Sequence, residues 1–322
     1  MDRIIAQNTF ERFWPAGRLV ATTGQLLNAG LDTRMIGAGL QFGLIHRLRR
    51  GVYIPAHKWN GRRPWEQDKL VLSGHLAATN GQQVYSHFSA ARLHRLHLWN
   101  SSRLIHVSAA YRSSPSRTSR DVALHFTALV PGDVVQRLIP GVGLASYTNL
   151  QRTVLECAMK ATLEQAVVIG DSALHAGLAL PDLEALMNAS DGRRGIKRAR
   201  HALAALNRLS ESAGETRTRL IVAELPIEQP ELQVSLATSS GTYRVDFVWR
   251  GIRLILEFDG DTKYFDYQPT SEALIDERER ENALIEEGWR FIRLKWKHLN
   301  NPELLKARIM KAYLTAQQAA AS

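Results

Sequence analysis

The stretch GTYRVDFVWRGIRLILEFDGDTKYF, residues 241–265, decides the fold of the C-terminal part of the chain. Two runs rich in β-branched and aromatic residues flank Arg250 and Gly251. Runs of this composition, separated by two turn-forming residues, are typical of an antiparallel hairpin. The spacing therefore predicts two adjacent strands joined by a two-residue turn.

The register of this hairpin determines which side chains share a face. If Trp249 pairs with Ile252, Asp246 lies opposite Ile255, and Glu257 is its diagonal neighbour on the same face. The other face is apolar and carries Val245, Phe247, Trp249, Ile252, Leu254, Leu256 and Phe258. Helices must cover such a face, so the hairpin is predicted to lie in the interior of a mixed α/β sheet.

Three acids, Asp246, Glu257 and Asp259, are predicted to share the second face. Carboxylates at this distance repel one another unless a cation compensates them. Mg²⁺ or Mn²⁺ suits hard oxygen ligands and keeps water molecules for chemistry. Such an ion activates water and stabilises the charge that develops on a phosphodiester. The acids therefore predict metal-dependent phosphodiester hydrolysis.

The same residues resemble the PD-(D/E)XK nuclease superfamily, and within it the very-short-patch-repair-like domain of unknown function, with a core of the type R-V-D-F…E-x-D-G-x-x-H. The residues that match are Arg244-Val245-Asp246-Phe247 and Glu257-Phe258-Asp259-Gly260, with Glu215 as the acid of the preceding helix. The resemblance covers residues 211–310. It implies a restriction-endonuclease-like sheet flanked by helices, with Asp246 and Glu257 as metal ligands, Asp259 assisting them and Glu215 contributing through water.

Two further features belong to this resemblance. Asp259 occupies the lysine position of the superfamily's E-x-K motif, as is usual in the subgroup, and Lys263 stands where relatives often have histidine. Lys263 is expected to orient the attacking water or to bind phosphate. Residues 276–296 resemble the family's basic-acidic helix and the strand after it, where Arg293 and Lys295 are expected to reach phosphate or to form an ordinary polar strand face. A catalytically silent remnant and an unrelated acidic sheet are the alternatives to an intact metal site.

Near the N-terminus, residues 19–56 predict a winged helix-turn-helix. Thr22 or Thr23 can cap a first helix, and Asp32 or Thr33 can cap a second, after which a basic two-stranded wing follows. In such a unit the second helix enters the major groove and the wing lies against the DNA backbone. The predicted DNA contacts are those of Arg34, Arg47, Arg49 and Arg50. The alternative is a small helical unit that contacts only protein.

This N-terminal segment, with its GVYIPA motif, also resembles the regulatory antitoxin domain of the abortive-infection AbiEi group, which is often found ahead of the nuclease-like domain. The resemblance implies DNA binding in a toxin–antitoxin or phage-defence setting, with a toxin as partner. It supports a second function, that of a transcriptional regulator whose nuclease-like domain no longer cuts.

Charge divides the 322-residue chain unevenly. Residues 1–214 hold 26 basic and 14 acidic side chains, whereas residues 215–322 hold 15 and 17. A basic surface attracts polyanions, because neutralised phosphates release their counterions. The predicted organisation is a winged helix-turn-helix over 1–60, a mixed and mainly helical middle over 61–210, and a nuclease-like domain over 211–322.

Other classes are excluded or disfavoured. No apolar run approaches the roughly 18 residues of a membrane span, and charges interrupt the first residues, so a cytoplasmic protein without a membrane partner is expected. The single cysteine, Cys157, is predicted to be a buried thiol. His87, His94 and His97 have no carboxylate or thiol at ligand spacing and are predicted not to bind metal.

Overall fold

The computed structural model describes residues 2–110, 119–260 and 271–321. The chain forms two compact units, one of Met1–Leu96 with Asn100–Cys157 and one of His97–Trp99 with Ala158–Ser322. Mixed sheets flanked by helices make up both, which confirms the predicted α/β, multidomain class. None of the helices in the described ranges has the length and apolarity that crossing a bilayer requires.

The first unit begins with the predicted winged helix-turn-helix. Its elements are α1 (Arg3–Phe13), β1 (Ala21–Thr22), α2 (Thr23–Asn28), α3 (Thr33–Gln41), β2 (Ile45–Arg49) and β3 (Val52–Pro55), with the strands in the order β1-β3-β2. Thr22 caps α2 in a reciprocal capping box with Gln25. The Asp32 side chain caps α3 by accepting a hydrogen bond from the Met35 amide at 2.7 Å. Both caps are among those that the sequence predicted.

Helix α3, the predicted DNA-reading helix, contains two glycines, and close packing against α1 explains why one of them must be glycine. A Cβ atom on Gly39 would lie 2.4 Å from the ring of Phe10, which is itself buried in the core of this subdomain. A Cβ atom on Gly37 would meet nothing within 4 Å. Gly39 is therefore required by the contact with α1, whereas Gly37 only lowers helix propensity.

The rest of the first unit surrounds a five-stranded sheet in the order β6-β5-β4-β8-β7. Its elements are α4 (Ala56–Trp59), α5 (Pro64–Thr79), β4 (Val84–Tyr85), α6 (His87–Leu93), β5 (Ile105–Ala109), β6 (Val122–Phe126), β7 (Val134–Ile139), β8 (Gly143–Thr148) and α7 (Leu150–Lys160), the last of which continues into the second unit. The segment predicted to be a mixed, mainly helical middle thus contributes five strands to this sheet between residues 84 and 148. Cys157 is fully buried in α7, as predicted, and burial raises the pKa of its thiol.

The second unit is built on a four-stranded sheet in the order β12-β11-β10-β9. Its elements are α8 (Leu163–His175), α9 (Leu180–Ala189), α10 (Ile196–Ala204), α11 (Ala213–Ala223), β9 (Glu231–Thr238), β10 (Gly241–Trp249), β11 (Leu254–Phe258), α12 (Ser271–Glu286), β12 (Arg290–Leu294), α13 (Trp296–Leu299) and α14 (Pro302–Ala320). Strand β10 is antiparallel to β9 and β11, and β12 is parallel to β11.

The predicted two-residue turn between β10 and β11 is wrong. Trp249 pairs with Leu254, because residues 250–252 form a short 3₁₀ turn and Arg253 adopts a left-handed backbone conformation with φ of 48°. The register is therefore shifted by two residues, an even number that preserves the side-chain faces. Continuing the observed register by one residue sets Asp246 level with Glu257, not diagonal to it.

Both faces of the sheet are apolar, which corrects the prediction of one acidic face. Phe247 and Trp249 pack in a cluster with residues of α11 and α14. Val245 packs instead in a second cluster, with Val248, Ile255 and Leu284. The alternation of faces along β10 therefore breaks between Val245 and Phe247, at Asp246. The β9–β10 register is the same on both sides of Asp246, which faces Gln233, so the break is a local distortion of both strands without an inserted residue.

A buried carboxylate lies between the predicted middle and C-terminal domains. Asp171 of α8 is fully buried and accepts hydrogen bonds from the Asn207 amide at 2.7 Å, the Thr216 hydroxyl at 2.9 Å and the Arg219 guanidinium at 2.7 Å. These contacts connect α8 to α11 across the predicted boundary between residues 210 and 211. The second unit consequently spans both sides of the predicted boundary at residue 211.

The two glycines of α3 provide a matched test of this packing. Gly37→Ala should stabilise the protein by about 0.5–1 kcal/mol, because alanine favours the helix and meets open space. Gly39→Ala should destabilise it, because the new methyl group overlaps the Phe10 ring. Urea unfolding of both variants measures the difference, and equal effects of the two substitutions would contradict the α1–α3 contact.

His75 should make the first unit sensitive to acid. It is 4% exposed, its Nδ1 lies 2.7 Å from the Tyr85 hydroxyl, and burial together with the Arg49 charge lowers its pKa to about 4. The unfolded chain therefore binds a proton near pH 6.5 that the folded chain excludes, so stability should fall as the pH drops from about 6.5 to 4, by up to about 3 kcal/mol. Denaturant unfolding across this range should show that His75→Gln flattens the slope and that the exposed control His57→Gln does not.

Candidate functional site

Helix α11 brings Glu215 to the sheet at the start of the helix. The Ser212 hydroxyl caps the helix by accepting a hydrogen bond from the Glu215 amide at 3.1 Å. The Glu215 carboxylate is buried, and its Oε2 accepts hydrogen bonds from the Glu211 amide and from Gln233 Nε2, both at 2.9 Å. Burial and the nearby charge of Asp246 raise the pKa of Glu215. A group of this kind is stabilised as an anion by any cation that approaches it.

A close approach between α11 and the end of β11 makes this placement possible. A Cβ atom on Gly214 would lie 1.9 Å from the ring of Phe258. Only glycine allows the first turn of α11 to reach the strand end at this distance. Glu215, the next residue, is thereby held near Asp246 of β10, and both carboxylates accept hydrogen bonds from Gln233.

Asp246 lies at the break in β10 and links two elements. Its Oδ2 accepts a hydrogen bond from the Phe258 amide of β11 at 2.8 Å, and its Oδ1 accepts one from Gln233 Nε2 at 3.3 Å. Gln233, in β9, has a left-handed backbone with φ of 52° and donates to both Asp246 and Glu215. Sequence analysis missed Gln233, because its role depends on a backbone distortion that no local pattern indicates.

Glu257, on β11, is compensated by two arginines. Arg280 of α12 donates to Glu257 Oε1 and also to the Arg244 carbonyl at 2.9 Å. Arg293 is the register partner of Glu257 on β12, and its guanidinium lies 3.8 Å from Glu257 Oε2 and 3.1 Å from Glu281. The sequence predicted Arg293 beside the acids, whereas Arg280 was missed although it lies in the helix that resembles the family's.

The remaining predicted site residues lie in different surroundings. Asp259 follows β11, its amide donates to the Leu294 carbonyl at 2.8 Å, and its carboxylate lies 3.8 Å from Lys295. Lys263 lies outside the described residues. Among the described side chains, no three of the acids Glu215, Asp246, Glu257 and Asp259 bring their carboxylate oxygens within 4.8 Å of one another. The structure therefore places neither Asp259 nor Glu215 as a third direct ligand beside Asp246 and Glu257.

Asp246 and Glu257 fit a hard divalent cation. Mg²⁺ in proteins is commonly held by one or two carboxylates, with water and substrate phosphate in the other positions. Two carboxylates at adjacent strand positions, beside a buried Glu215 with a raised pKa, supply that donor chemistry. Asp246 and Glu257 would hold such an ion, and Arg293 and Lys295 lie where a phosphate group could pair with them.

Three of the four arginines predicted to contact DNA are exposed. Arg34 in the first turn of α3 is exposed, as are Arg47 and Arg50 in and beside the wing. Arg49 differs, because its side chain is 20% exposed and its guanidinium lies 3.8 Å from the Asp121 carboxylate. Arg34, Arg47 and Arg50 therefore remain accessible for phosphate contacts, whereas Arg49 is engaged within the fold.

Comparison with known proteins finds relatives that carry no functional description. No family model matches the chain. Two proteins of Mycobacterium tuberculosis, the uncharacterized protein MT2308 of strain CDC 1551 and the uncharacterized protein Rv2248 of strain H37Rv, are each 29% identical over 192 residues, covering 54% of this chain and 68% of theirs. The crystal structure of the RV2827C protein from the same species is similar with a TM-score of 0.41 and 16% identity, covering 71% of this chain and 86% of that one.

Proposed function

We propose that the protein is a Mg²⁺- or Mn²⁺-dependent DNA endonuclease of the cytoplasm, in which the second unit cuts and the winged helix-turn-helix of the first unit binds DNA. The observation that carries the proposal is that Asp246, bonded to the Phe258 amide of β11, lies level with Glu257 in the continued register and is joined to the buried Glu215 through Gln233. Acids concentrated in this way are costly to bury and gain most from a bound cation.

Each residue has a role that follows from its contacts. Asp246 and Glu257 would hold the cation, which when bound would supply water activation and stabilisation of charge on the phosphodiester. Gln233 fixes the orientation of Asp246 against Glu215 through its two amide hydrogen bonds. Arg293 and Lys295 neutralise the phosphate that is cut. Lys263, which the family resemblance implies, orients the water or contacts phosphate.

The first unit supplies affinity for DNA. The winged helix-turn-helix presents Arg34 at the start of its second helix, and Arg47 and Arg50 at its wing. The excess of basic residues over the first 214 positions favours a polyanionic partner. DNA held there is the substrate of the second unit.

A second function is favoured by the contacts of Glu257. Arg280 and Arg293 already neutralise this carboxylate without a metal ion. A site of this kind in a silent nuclease-like domain fits an antitoxin-like transcriptional regulator, which would bind DNA without cutting it and take a toxin as its partner. The two functions differ in whether metal and Glu257 are needed.

Cleavage assays should separate these functions. We expect the wild-type protein to cut plasmid or linear DNA in Mg²⁺ or Mn²⁺, and Asp246→Asn and Glu257→Gln to lower the rate at least about 100-fold, because each removes a charged metal ligand. Glu231→Gln is the matched control, since Glu231 is an exposed acid of the same sheet that pairs with Arg250. Its rate should equal that of the wild type.

Three results would each contradict one part of this proposal. Cleavage that persists in both acid variants would reject the assigned site. Cleavage that persists in EDTA would reject the metal requirement. Sequence-specific binding in EDTA by a wild-type protein that cuts no DNA substrate would instead favour the regulator.

The salt dependence of DNA affinity should identify the DNA-binding surface. The triple variant Arg34→Ala/Arg47→Ala/Arg50→Ala should lower the slope of log affinity against log salt concentration by up to about three units, because each phosphate contact contributes about one. Arg250→Ala, which removes an exposed arginine of the second unit, should leave the slope unchanged. An unaltered slope in the triple variant would show that the winged helix-turn-helix does not hold the DNA.

A further inference from the structure

Three histidines converge in the first unit, far in sequence from the acids of the second. Their ligand nitrogen atoms, one each from His87, His106 and His125, all lie within 4.8 Å of one another. His87 begins α6, His106 lies on β5 and His125 lies on β6. The cluster is independent of the proposed nuclease site, and it differs from the set His87, His94 and His97 that the sequence brought to attention.

The fold itself creates this convergence. Strands β5 and β6 are parallel neighbours, and Ser108 pairs with His125, so His106 and His125 occupy the same face two positions apart. The hydroxyl of Ser89 on α6 accepts a hydrogen bond from the His106 amide at 2.8 Å and fixes α6 against this face. His87 is thereby brought over the two strands, and its ring centroid lies 3.7 Å from that of His125.

The structure also defines which nitrogen atoms of His106 and His125 face one another. His106 Nδ1 and His125 Nε2 are 2.9 Å apart. Two nitrogen ligands of one tetrahedral zinc ion, at Zn–N distances of 2.0–2.1 Å, are about 3.3 Å apart. Small rotations of the rings about their soft χ2 torsions would turn this pair toward a shared ion. His94, in contrast, lies outside the group, with its Nε2 2.8 Å from the Thr148 carbonyl oxygen.

A buried carboxylate lies behind His87, as it does behind many metal-binding histidines. Glu156 is 2% exposed, and its Oε2 lies 3.6 Å from His87 Nδ1 and accepts the His87 amide at 3.4 Å. The Arg152 guanidinium donates to Glu156 Oε1 at 2.9 Å. Histidine ligands commonly direct their second nitrogen to a carboxylate, which fixes the tautomer and the ring orientation. His87 Nδ1 is thus engaged with Ser86 Oγ at 3.0 Å and lies toward Glu156, so Nε2 is the nitrogen that this arrangement assigns to a metal.

We propose that His87, His106 and His125 form a binding site for a transition-metal ion of the Zn²⁺ class, with Glu156 as the residue that orients His87. Neutral imidazoles favour zinc and similar ions over Mg²⁺ or Ca²⁺. The ion would connect β6, the edge strand of the five-stranded sheet, to β5 and to the start of α6. Its primary effect is to stabilise the first unit.

Metal binding to the full chain tests this site. Protein freed of metal by chelation, then transferred to buffer with excess Mg²⁺ to occupy hard oxygen ligands, should bind one equivalent of Zn²⁺ with a Kd below about 1 µM. Zn²⁺ should raise the unfolding temperature of the wild type by at least about 5 °C. Co²⁺ in place of Zn²⁺ should give the visible absorption of a site with nitrogen ligands.

Variants assign the ligands. His125→Ala, at the most exposed of the three positions, should weaken Zn²⁺ binding more than about 100-fold and abolish the shift in unfolding temperature, while far-UV circular dichroism shows an intact fold. Glu156→Gln should weaken binding about 10- to 100-fold, as expected for a residue behind a ligand. His175→Ala, at an exposed histidine, is the matched control and should bind like the wild type.

Several outcomes would overturn the proposal. They are the absence of stoichiometric Zn²⁺ binding by the wild type, binding that His125→Ala leaves unchanged, and X-ray absorption of the zinc-loaded wild type without imidazole scattering. Because X-ray absorption uses the wild type, the test does not depend on the folding of any variant.

Discussion

The Asp246 carboxylate accepts a hydrogen bond from a backbone amide of the neighbouring strand, as a backbone carbonyl would in a regular sheet. The arrangement of the acids depends on this interaction. Its Oδ2 accepts the Phe258 amide at 2.8 Å, at the point where the faces of β10 lose their alternation. A backbone amide inside a sheet needs an acceptor, and the Asp246 side chain supplies one to Phe258 where the pairing of β10 with β11 ends. The same bond brings Asp246 toward Glu257, while Gln233 holds its other oxygen. Gly214 then admits α11 against Phe258 and places Glu215 beside them.

The charges around these acids are balanced by neighbouring side chains, and this balance determines what the site can do. Arg280 and Arg293 approach Glu257, and Lys295 approaches Asp259. Removing one member of a buried ion pair leaves an uncompensated charge, which costs several kcal/mol. A cation that binds Asp246 and Glu257 must therefore compete with Arg280, after which the freed guanidinium can pair with phosphate. In a nuclease this exchange accompanies substrate binding, whereas in a regulator the ion pair would persist.

Local signals in the sequence predicted much of the fold. The caps of α2 and α3, the wing, and the positions of β10 and β11 follow from residues close in the chain. The register of β10 and β11 could not be predicted from nearby residues, because Arg253 adopts a left-handed conformation that lengthens the connection. Contacts between distant segments were also missed: Arg280 on Glu257, Asp121 beside Arg49, and Asp171 with Arg219 across the predicted domain boundary. The His87, His106 and His125 cluster belongs to the same class, since parallel strand pairing and helix docking assemble it from three separate segments.

The central claim is that Asp246 and Glu257 form a site for a divalent cation, and locating the ion tests it most directly. Crystals of the full chain soaked in Mn²⁺, with diffraction data collected at the manganese absorption edge, would show the ion by its anomalous scattering. The account predicts an anomalous peak bound by the carboxylates of Asp246 and Glu257, with Arg280 displaced from at least one Glu257 oxygen. The absence of a peak there at saturating Mn²⁺, with Arg280 still paired to Glu257, would contradict it.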